Sequence, residues 1–141
     1  MRITRRFTTE NQSAYDGLAF RTLASEIRKS DGSVVFSKDE VTVPAEWSQI
    51  AVDILAQKYF RQAGVPTRLE AIPEDDVPEF LWRRRAATNL NELPQAERHI
   101  GEHDARQVFD RLAGAWSYWG WKAGFFDSSD DAQAFIDDMR Y

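Results

Sequence analysis

The chain has 141 residues, 43% of them apolar and 13% aromatic, so it is long enough to bury about two-thirds of its unfolded surface in one core. Its 23 acidic and 18 basic residues give a net charge of −5, which argues against a broad phosphate-binding surface and so against a nucleic-acid partner. Because it has no cysteine, disulfides, thiolate metal sites and thiol redox chemistry are excluded from these residues.

The amino terminus, residues 1–21, mixes charges and aromatic residues without a period, which predicts an extended arm that docks onto the core. Arg2, Arg5 and Arg6 are not followed by the apolar segment of a secretion signal. No stretch approaches the ~20 apolar residues of a membrane span. We therefore expect a cytoplasmic protein without a membrane partner.

Residues 25–43 are predicted to form a β-hairpin. Asp31-Gly32 separates two runs rich in β-branched and alternating residues, and glycine accepts the positive φ that tight hairpin turns require. Val41-Thr42-Val43 is a further extended piece that leads into Pro44.

A helix is predicted over residues 44–64, with Pro44 in its first turn and Gly64 and Pro66 at its end. Apolar residues recur there at spacings of three and four, which predicts one buried face. That face comprises Trp47, Ile50, Ala51, Ile54, Leu55, Tyr59 and Phe60.

Residues 65–103 are predicted to be an irregular excursion, because Pro66, Pro73, Pro78 and Pro94 interrupt every helical period. One short helical turn is expected at residues 78–82.

Residues 104–141 are predicted to be helical and rich in aromatic residues. Asp104 begins one helix, and the stretch from Gly120 to Gly124 breaks it. Ser128 begins another, with Asp131 placed as in a capping box. The predicted inner faces are Val108, Phe109, Leu112, Ala115, Trp116 and Trp119 on the first helix, and Ala132, Phe135, Ile136 and Met139 on the second.

The last helix carries no stop signal before Tyr141, which is typical of a cut inside a longer polypeptide. Six aromatic residues fall within the eleven positions 116–126, and we expect them to anchor the core. The sequence thus predicts one domain over residues 1–141, mainly α with a small β-hairpin, in the α+β class.

Several groups of residues suggest a site without establishing one. His99 and His103 have the i, i+4 spacing of a helical metal site, but Gly101 between them disfavours a helix, so exposed loop histidines are the preferred interpretation. Arg83-Arg84-Arg85 could contact a nucleotide, although a solvated face or pairing with nearby acids is simpler.

The carboxylates of the last helix can also be interpreted either as a site or as ordinary surface residues. Asp130 and Asp131 are explained by the helix dipole, and Asp137 and Asp138 are expected to face solvent rather than perform acid–base catalysis. The aromatic cluster could stack bases, but core packing is favoured because no basic groove accompanies it. We therefore assign no catalytic, cofactor-binding or metal-binding residue.

A family resemblance rests on the number and order of ordinary residues along nearly the whole chain. The chain resembles the amino-terminal domain of bacterial class II, adenosylcobalamin-dependent ribonucleotide reductases. The residues that carry this resemblance are Met1 to Thr9, Ser25-Glu26-Ile27-Arg28, Asp31 to Phe36, Val43-Pro44, Trp47-Ser48-Gln49, Asp53 to Arg61, Ala63 to Pro66, Val108 to Gly114, Trp119 to Lys122 and Met139-Arg140-Tyr141.

The resemblance implies a helical cap domain that precedes a ten-stranded α/β barrel absent from this chain. That barrel would carry the radical cysteine, the adenosylcobalamin and the ribonucleotide, in an enzyme that makes deoxyribonucleotides for DNA synthesis. Family habit suggests diphosphate substrates and a homodimer. The resemblance also implies that the isolated 141 residues are inactive. The alternative is a free-standing module that binds another protein through its aromatic face.

Overall fold

The structure, a computed structural model, describes all residues from 1 to 141. About 37% of the residues are helical and about 22% lie in strands, so the domain is α+β. The prediction of a mainly α chain is wrong. Its two long strands are longer than expected, and the region expected to be irregular contains strands of two or three residues, too short for their period to be visible in the sequence.

The chain divides into two compact units, so the single domain over residues 1–141 stays a prediction. The first unit comprises Met1–Asp16, Pro66–His99 and Phe109–Tyr141, and the second comprises Gly17–Val65 and Ile100–Val108. None of the helices combines the length and the apolar character that crossing a membrane requires.

The second unit is built on a long hairpin. Strand β1, Phe20–Arg28, pairs antiparallel with β2, Val34–Pro44, so that Phe20 lies opposite Pro44 and Arg28 opposite Val34. Gly32 in the connecting turn has a φ of +85°, the conformation for which glycine was expected there. The hairpin begins five residues earlier than predicted, at Phe20.

Helix α1, Gln49–Ile54, is much shorter than the helix predicted over residues 44–64. Pro44 ends β2 instead of entering a helix, and Ser48 caps α1 by accepting a hydrogen bond from the Ala51 N–H at 3.3 Å. A single π-helical turn, Leu55–Tyr59, follows α1. The chain then becomes extended at Phe60, four residues before Gly64.

The apolar face predicted for this helix is partly wrong. Leu55 and Phe60 are buried as predicted, whereas Ile50, Ile54 and Tyr59 are 72%, 50% and 56% exposed. Tyr59 lies in the π turn, which contains about one more residue than an α turn, so it no longer follows the 3.6-residue spacing. The side chains that are buried in this part of the chain are Val52, Leu55, Ala56 and Phe60.

The irregular part of the first unit is held by short regular pieces. Strand β4, Leu69–Ala71, pairs antiparallel with β5, Arg84–Ala86, and the 3₁₀ turn Glu79–Leu81 lies where a helical turn was expected. Two further strands, β3 at Val65–Pro66 and β6 at His99–Ile100, and two 3₁₀ turns, Thr88–Glu92 and Gln95–Glu97, complete the stretch.

Helix α2, Ala105–Lys122, is capped at both ends. At its start, the Gln107 Oε1 accepts hydrogen bonds from the backbone N–H groups of His103 and Asp104, at 2.8 and 3.0 Å. The helix ends at Lys122, within the stretch from Gly120 to Gly124 that was predicted to break it. It ends because Gly124 takes a φ of +71° and donates to the Trp121 carbonyl at 2.9 Å.

Val108, near the start of α2, is buried as predicted, but from Ala113 to Gly120 the buried positions of the helix carry small side chains. Ala113 and Ser117 are 1% and 0% exposed, and a Cβ on Gly120 would lie 2.8 Å from the Phe126 ring. The buried Ser117 hydroxyl has no hydrogen-bond partner. The prediction that Trp116 and Trp119 face the core is therefore wrong, since both are exposed.

Helix α3, Ser129–Arg140, begins as predicted, with the Ser128 hydroxyl accepting from the Asp131 N–H at 3.2 Å. Ala132 and Ile136 of α3 join a core cluster with Val77, Leu81 and Ala113. Met139 is exposed, although it was expected on the inner face. Partly buried side chains that pack on this cluster are Phe80, Trp82, Tyr118, Trp121 and Phe126.

Two glycines of this fold differ in the space around them, which gives a matched test. A Cβ on Gly101 would lie 2.5 Å from the Gln62 carbonyl oxygen, whereas one on Gly114, inside α2, would meet nothing within 4 Å. We expect Gly101→Ala to destabilise the protein by about 1–3 kcal/mol through overpacking. Gly114→Ala should stabilise it by up to about 1 kcal/mol through helix propensity.

Denaturant unfolding followed by far-ultraviolet circular dichroism measures both changes. Equal effects of the two substitutions would contradict the described packing around Gly101.

Candidate interaction surfaces

The amino-terminal segment, residues 1–8, lies against α3 without forming a helix or strand of its own. Its attachment is polar: the carboxylates of α3 accept hydrogen bonds from its backbone N–H groups and from Arg5 and Thr8. The amino group of Met1 contacts the Asp127 carboxylate just before the helix. The two ends of the sequence are thus joined by complementary charges and hydrogen bonds.

Asp138 is the centre of this attachment. Its carboxylate accepts hydrogen bonds from the backbone N–H groups of Arg6, Phe7 and Thr8 at 2.7, 3.3 and 3.1 Å, and from the Thr8 hydroxyl at 2.6 Å. Partial burial, the largest single influence, raises the pKa of Asp138, but these hydrogen bonds together outweigh it and lower the pKa. The ionised carboxylate therefore holds the segment at neutral pH.

Asp131 and Asp137 extend the attachment along α3. Asp131 accepts from the Ile3 N–H at 2.7 Å, and this bond, followed by that from the Ser128 hydroxyl, lowers the pKa of Asp131. Asp137, only 6% exposed, accepts from the Arg5 guanidinium at 2.7 Å. The expectation that Asp137 faces solvent is therefore wrong.

Sequence reasoning missed this role of the α3 carboxylates because the partners are about 130 residues apart in the chain. A signal was present, since the basic pair Arg5-Arg6 matches the acidic pair Asp137-Asp138 in charge. An aromatic contact accompanies the polar ones: the Phe7 and Tyr141 rings stack in parallel, with centroids 5.7 Å apart.

A cleft of about 810 Å³ lies beside this attachment, within the first unit. Its walls include Arg5 and Arg140 together with Asp110, Asp131 and Asp137. The two arginines are paired, since Arg140 lies 2.9 Å from the Asp110 carboxylate and Arg5 bonds to Asp137. The other charges that line the cleft, on Glu10, Asp130 and Asp131, are acidic, so the cleft offers no free cation to an anionic ligand.

The two histidines are not brought together on a helix. His99 lies in β6, and His103 precedes α2, which begins at Ala105. Both side chains are exposed. The chain contains no group of three or more His, Cys, Asp or Glu side chains arranged to hold a metal ion.

Two of the three consecutive arginines have acidic partners. Arg83 lies 3.7 Å from the Glu74 carboxylate and Arg85 lies 2.8 Å from that of Glu70, whereas Arg84 is an exposed residue of β5. Pairing with nearby acids leaves little net positive charge here, which weakens the case for a phosphate site.

The main apolar surface of the first unit is a row along α2. Leu112, Trp116 and Trp119 follow one another at spacings of four and three, so they lie on one side of the helix, and Ala123 comes just after its end. Trp116 is 43% exposed and Trp119 is 64% exposed. This aromatic row faces away from Tyr118 and Trp121, because two positions along a helix correspond to a rotation of about 200°.

Comparison with known proteins gives a consistent result. A family model described as class II vitamin B12-dependent ribonucleotide reductase matches residues 21–141. The vitamin B12-dependent ribonucleotide reductases of Bradyrhizobium diazoefficiens and Agrobacterium fabrum are 59% and 57% identical to the chain over 142 aligned residues. That of Rhodopirellula baltica is 24% identical over 132 residues.

These relatives are much longer than the chain. The first two alignments cover 100% of this chain and the third 94%, but they cover only 11%, 11% and 10% of the relatives. The chain therefore spans about a tenth of the length of the curated relatives it matches. The resemblance drawn from the sequence is confirmed.

The attachment of the amino-terminal segment can be tested at Asp138. Asp138→Ala removes the acceptor for three backbone N–H groups, so we expect a loss of about 1–2 kcal/mol and faster hydrogen exchange at Arg6, Phe7 and Thr8. Asp75→Ala, which removes an exposed carboxylate of the same charge, is the matched control.

The same variant has a defined pH dependence. Since the pKa of Asp138 in the fold lies below its ordinary value of 3.8, its contribution is complete well above that pH and is lost as the pH falls through the folded-state pKa. Wild type and Asp138→Ala should therefore approach each other in stability at acid pH. A constant difference from pH 7 to pH 2 would contradict this origin.

The exposure of the aromatic row predicts a contrast between two tryptophans. Trp119→Ala should change the free energy of unfolding by less than about 1 kcal/mol, as surface substitutions do. Trp121 packs on the core cluster and its indole N–H donates to the Asp76 carbonyl at 2.7 Å, so Trp121→Ala should cost about 2–3 kcal/mol. Urea unfolding would show the contrast, and a larger loss at Trp119 would place that side chain in the core.

Proposed function

We propose a structural, non-catalytic role for this chain from one premise: it belongs to the class II vitamin B12-dependent ribonucleotide reductases, as an amino-terminal domain of these enzymes. The observation that carries the proposal is the absence of cysteine from all 141 residues. Radical reduction of a ribonucleotide, as the family resemblance implies it, needs cysteine sulfur both to abstract hydrogen and to supply electrons. The reacting groups therefore belong to another part of a longer polypeptide.

The vitamin B12 cofactor does not fit the residues of this chain. The cleft beside the amino-terminal segment, about 810 Å³, is within the range of drug-sized ligands, whereas a corrin ring with its nucleotide tail is larger. Its two arginines are already paired with aspartates, so no cation is free for an anionic group of a ligand. We therefore place adenosylcobalamin, and the ribonucleotide substrate with it, on the remainder of the enzyme.

The partner of this domain is then the catalytic part of the same polypeptide. The relatives support this, because about nine-tenths of their length lies outside the matched region. A homodimer of the full enzyme, diphosphate substrates and a cytoplasmic location belong to the same proposal. Nucleic acid and membrane are not among the proposed partners.

A free-standing interaction module is the second candidate function. The observation that favours it is the exposed aromatic row of α2, since tryptophan is enriched at protein interfaces. The reading frame decides between the two candidates. A frame that continues past Tyr141 into several hundred residues with cysteines supports the reductase domain, and a stop codon at that point supports the module.

The proposal that catalysis and cofactor binding reside outside this domain predicts the outcome of a reductase assay. The intact polypeptide, supplied with adenosylcobalamin and a dithiol reductant, should convert ribonucleotides to deoxyribonucleotides. The 141-residue chain under the same conditions should form none, and titration calorimetry should detect no binding of adenosylcobalamin to it. Deoxyribonucleotide formation by the 141-residue chain alone, or a micromolar complex with the cofactor, would contradict the proposal.

A further inference from the structure

The aromatic row of α2 is the best-defined unpartnered surface of the first unit. Trp116 and Trp119 keep 43% and 64% of their surfaces in water, while α2 is fully packed on its other side. A tryptophan side chain can bury up to about 250 Å², so the two together leave on the order of 270 Å² for a partner to cover. Leu112 and Ala123 extend the row at both ends.

The indole groups of this row lack the contacts that the other tryptophans of the first unit make. Trp82 donates its indole N–H to the Val77 carbonyl at 2.9 Å, and Trp121 donates to the Asp76 carbonyl at 2.7 Å. Trp116 and Trp119 make no hydrogen bond or ring contact within the domain. Large aromatic side chains with an unused donor are typical of residues that become central to an interface.

We infer that the polypeptide following residue 141 packs on the aromatic row and covers Trp116 and Trp119. This inference rests on the proposed function, which it makes specific by naming the surface of contact. The length of the relatives supports it: they contain about nine times as much chain as the domain itself. Tyr141, from which the longer chain would continue, belongs to the same compact unit as the row.

Two other exposed apolar surfaces serve as comparisons. Ile50 and Ile54 on α1 are 72% and 50% exposed, and Val34 and Val35 at the end of the hairpin are 47% and 54% exposed. These aliphatic surfaces belong to the second unit, and the described residues indicate no occupant for them. Ile50 therefore provides an exposed apolar residue against which Trp119 can be measured.

The test is hydroxyl-radical footprinting of the intact polypeptide, with oxidation quantified by mass spectrometry and normalised to the intrinsic reactivity of each side chain. We expect Trp116 and Trp119 to be oxidised roughly five-fold more slowly than their exposure in this domain would give, as for residues at the centre of an interface. Ile50 should be oxidised at the rate that its exposure gives. Oxidation of Trp119 as a free side chain would overturn the inference.

A variant in the intact polypeptide gives a second readout. Trp119→Ser should make the chain just after Tyr141 about ten-fold more sensitive to protease, because the domain detaches when its central contact is lost. Trp119→Phe should retain most of the resistance, and Ile50→Ser should leave it unchanged. Since Trp119 is outside the core, the substitution leaves the fold of the domain intact, which circular dichroism would verify.

The outcomes separate this inference from the proposed function. An intact polypeptide that reduces ribonucleotides while Trp119 is freely oxidised refutes only the surface assigned here. One that lacks B12-dependent reduction altogether refutes the proposed function. Protection of Trp119 that disappears on dilution would identify a second copy as the occupant, and would also overturn the inference.

Discussion

Close packing of α2 through its smallest side chains is the constraint on which the first unit depends. Ala113 meets Ala132 and Ile136 of α3, and the absence of a side chain at Gly120 gives room for the Phe126 ring. Once this face is buried, helical geometry fixes the direction of every other α2 residue. The exposure of Trp116 and Trp119 is therefore a consequence of the core. A domain whose own packing leaves two tryptophans in water is suited to bind a partner there.

Electrostatic contacts hold the amino-terminal segment, which is not part of the apolar core. The amino-terminal segment has no secondary structure to satisfy its N–H groups, and the carboxylates of Asp131 and Asp138 accept hydrogen bonds from them instead. The Arg5 side chain is partly buried and pairs with the carboxylate of Asp137. Its charge is therefore compensated at a place from which water is partly excluded. Residues that would suggest a hydrolase or a cation site in the sequence thus have a structural role, and both arginines of the cleft beside them are paired with aspartates.

Local signals in the sequence predicted local structure well. The Asp31-Gly32 turn, the Ser128 cap and the helical turn after Pro78 depend on neighbouring residues alone, and each is present. Predictions of which face is buried were only partly correct. Val108, Ala132 and Ile136 are buried as predicted, but Trp116 and Trp119 are exposed because the middle of α2 packs through small side chains. Ile50 and Ile54 on α1 are likewise exposed, although their spacing predicted a buried face. The contacts between the segment at residues 1–8 and α3 were missed since they depend on tertiary structure. The family, by contrast, was recognisable from the order of many ordinary residues.

These features describe a domain that contains none of the cysteines on which catalysis in its family depends. Instead it presents a surface on which the catalytic part of the enzyme can pack. In its core, small side chains of α2 pack against α3. The aromatic row of α2 is left available to the rest of the enzyme. The most direct measurement is a structure of the intact polypeptide by electron cryomicroscopy. Our account predicts that residues beyond 141 contact the indole rings of Trp116 and Trp119 and exclude water from them. Density showing both rings in open solvent, with the catalytic part attached elsewhere, would contradict it.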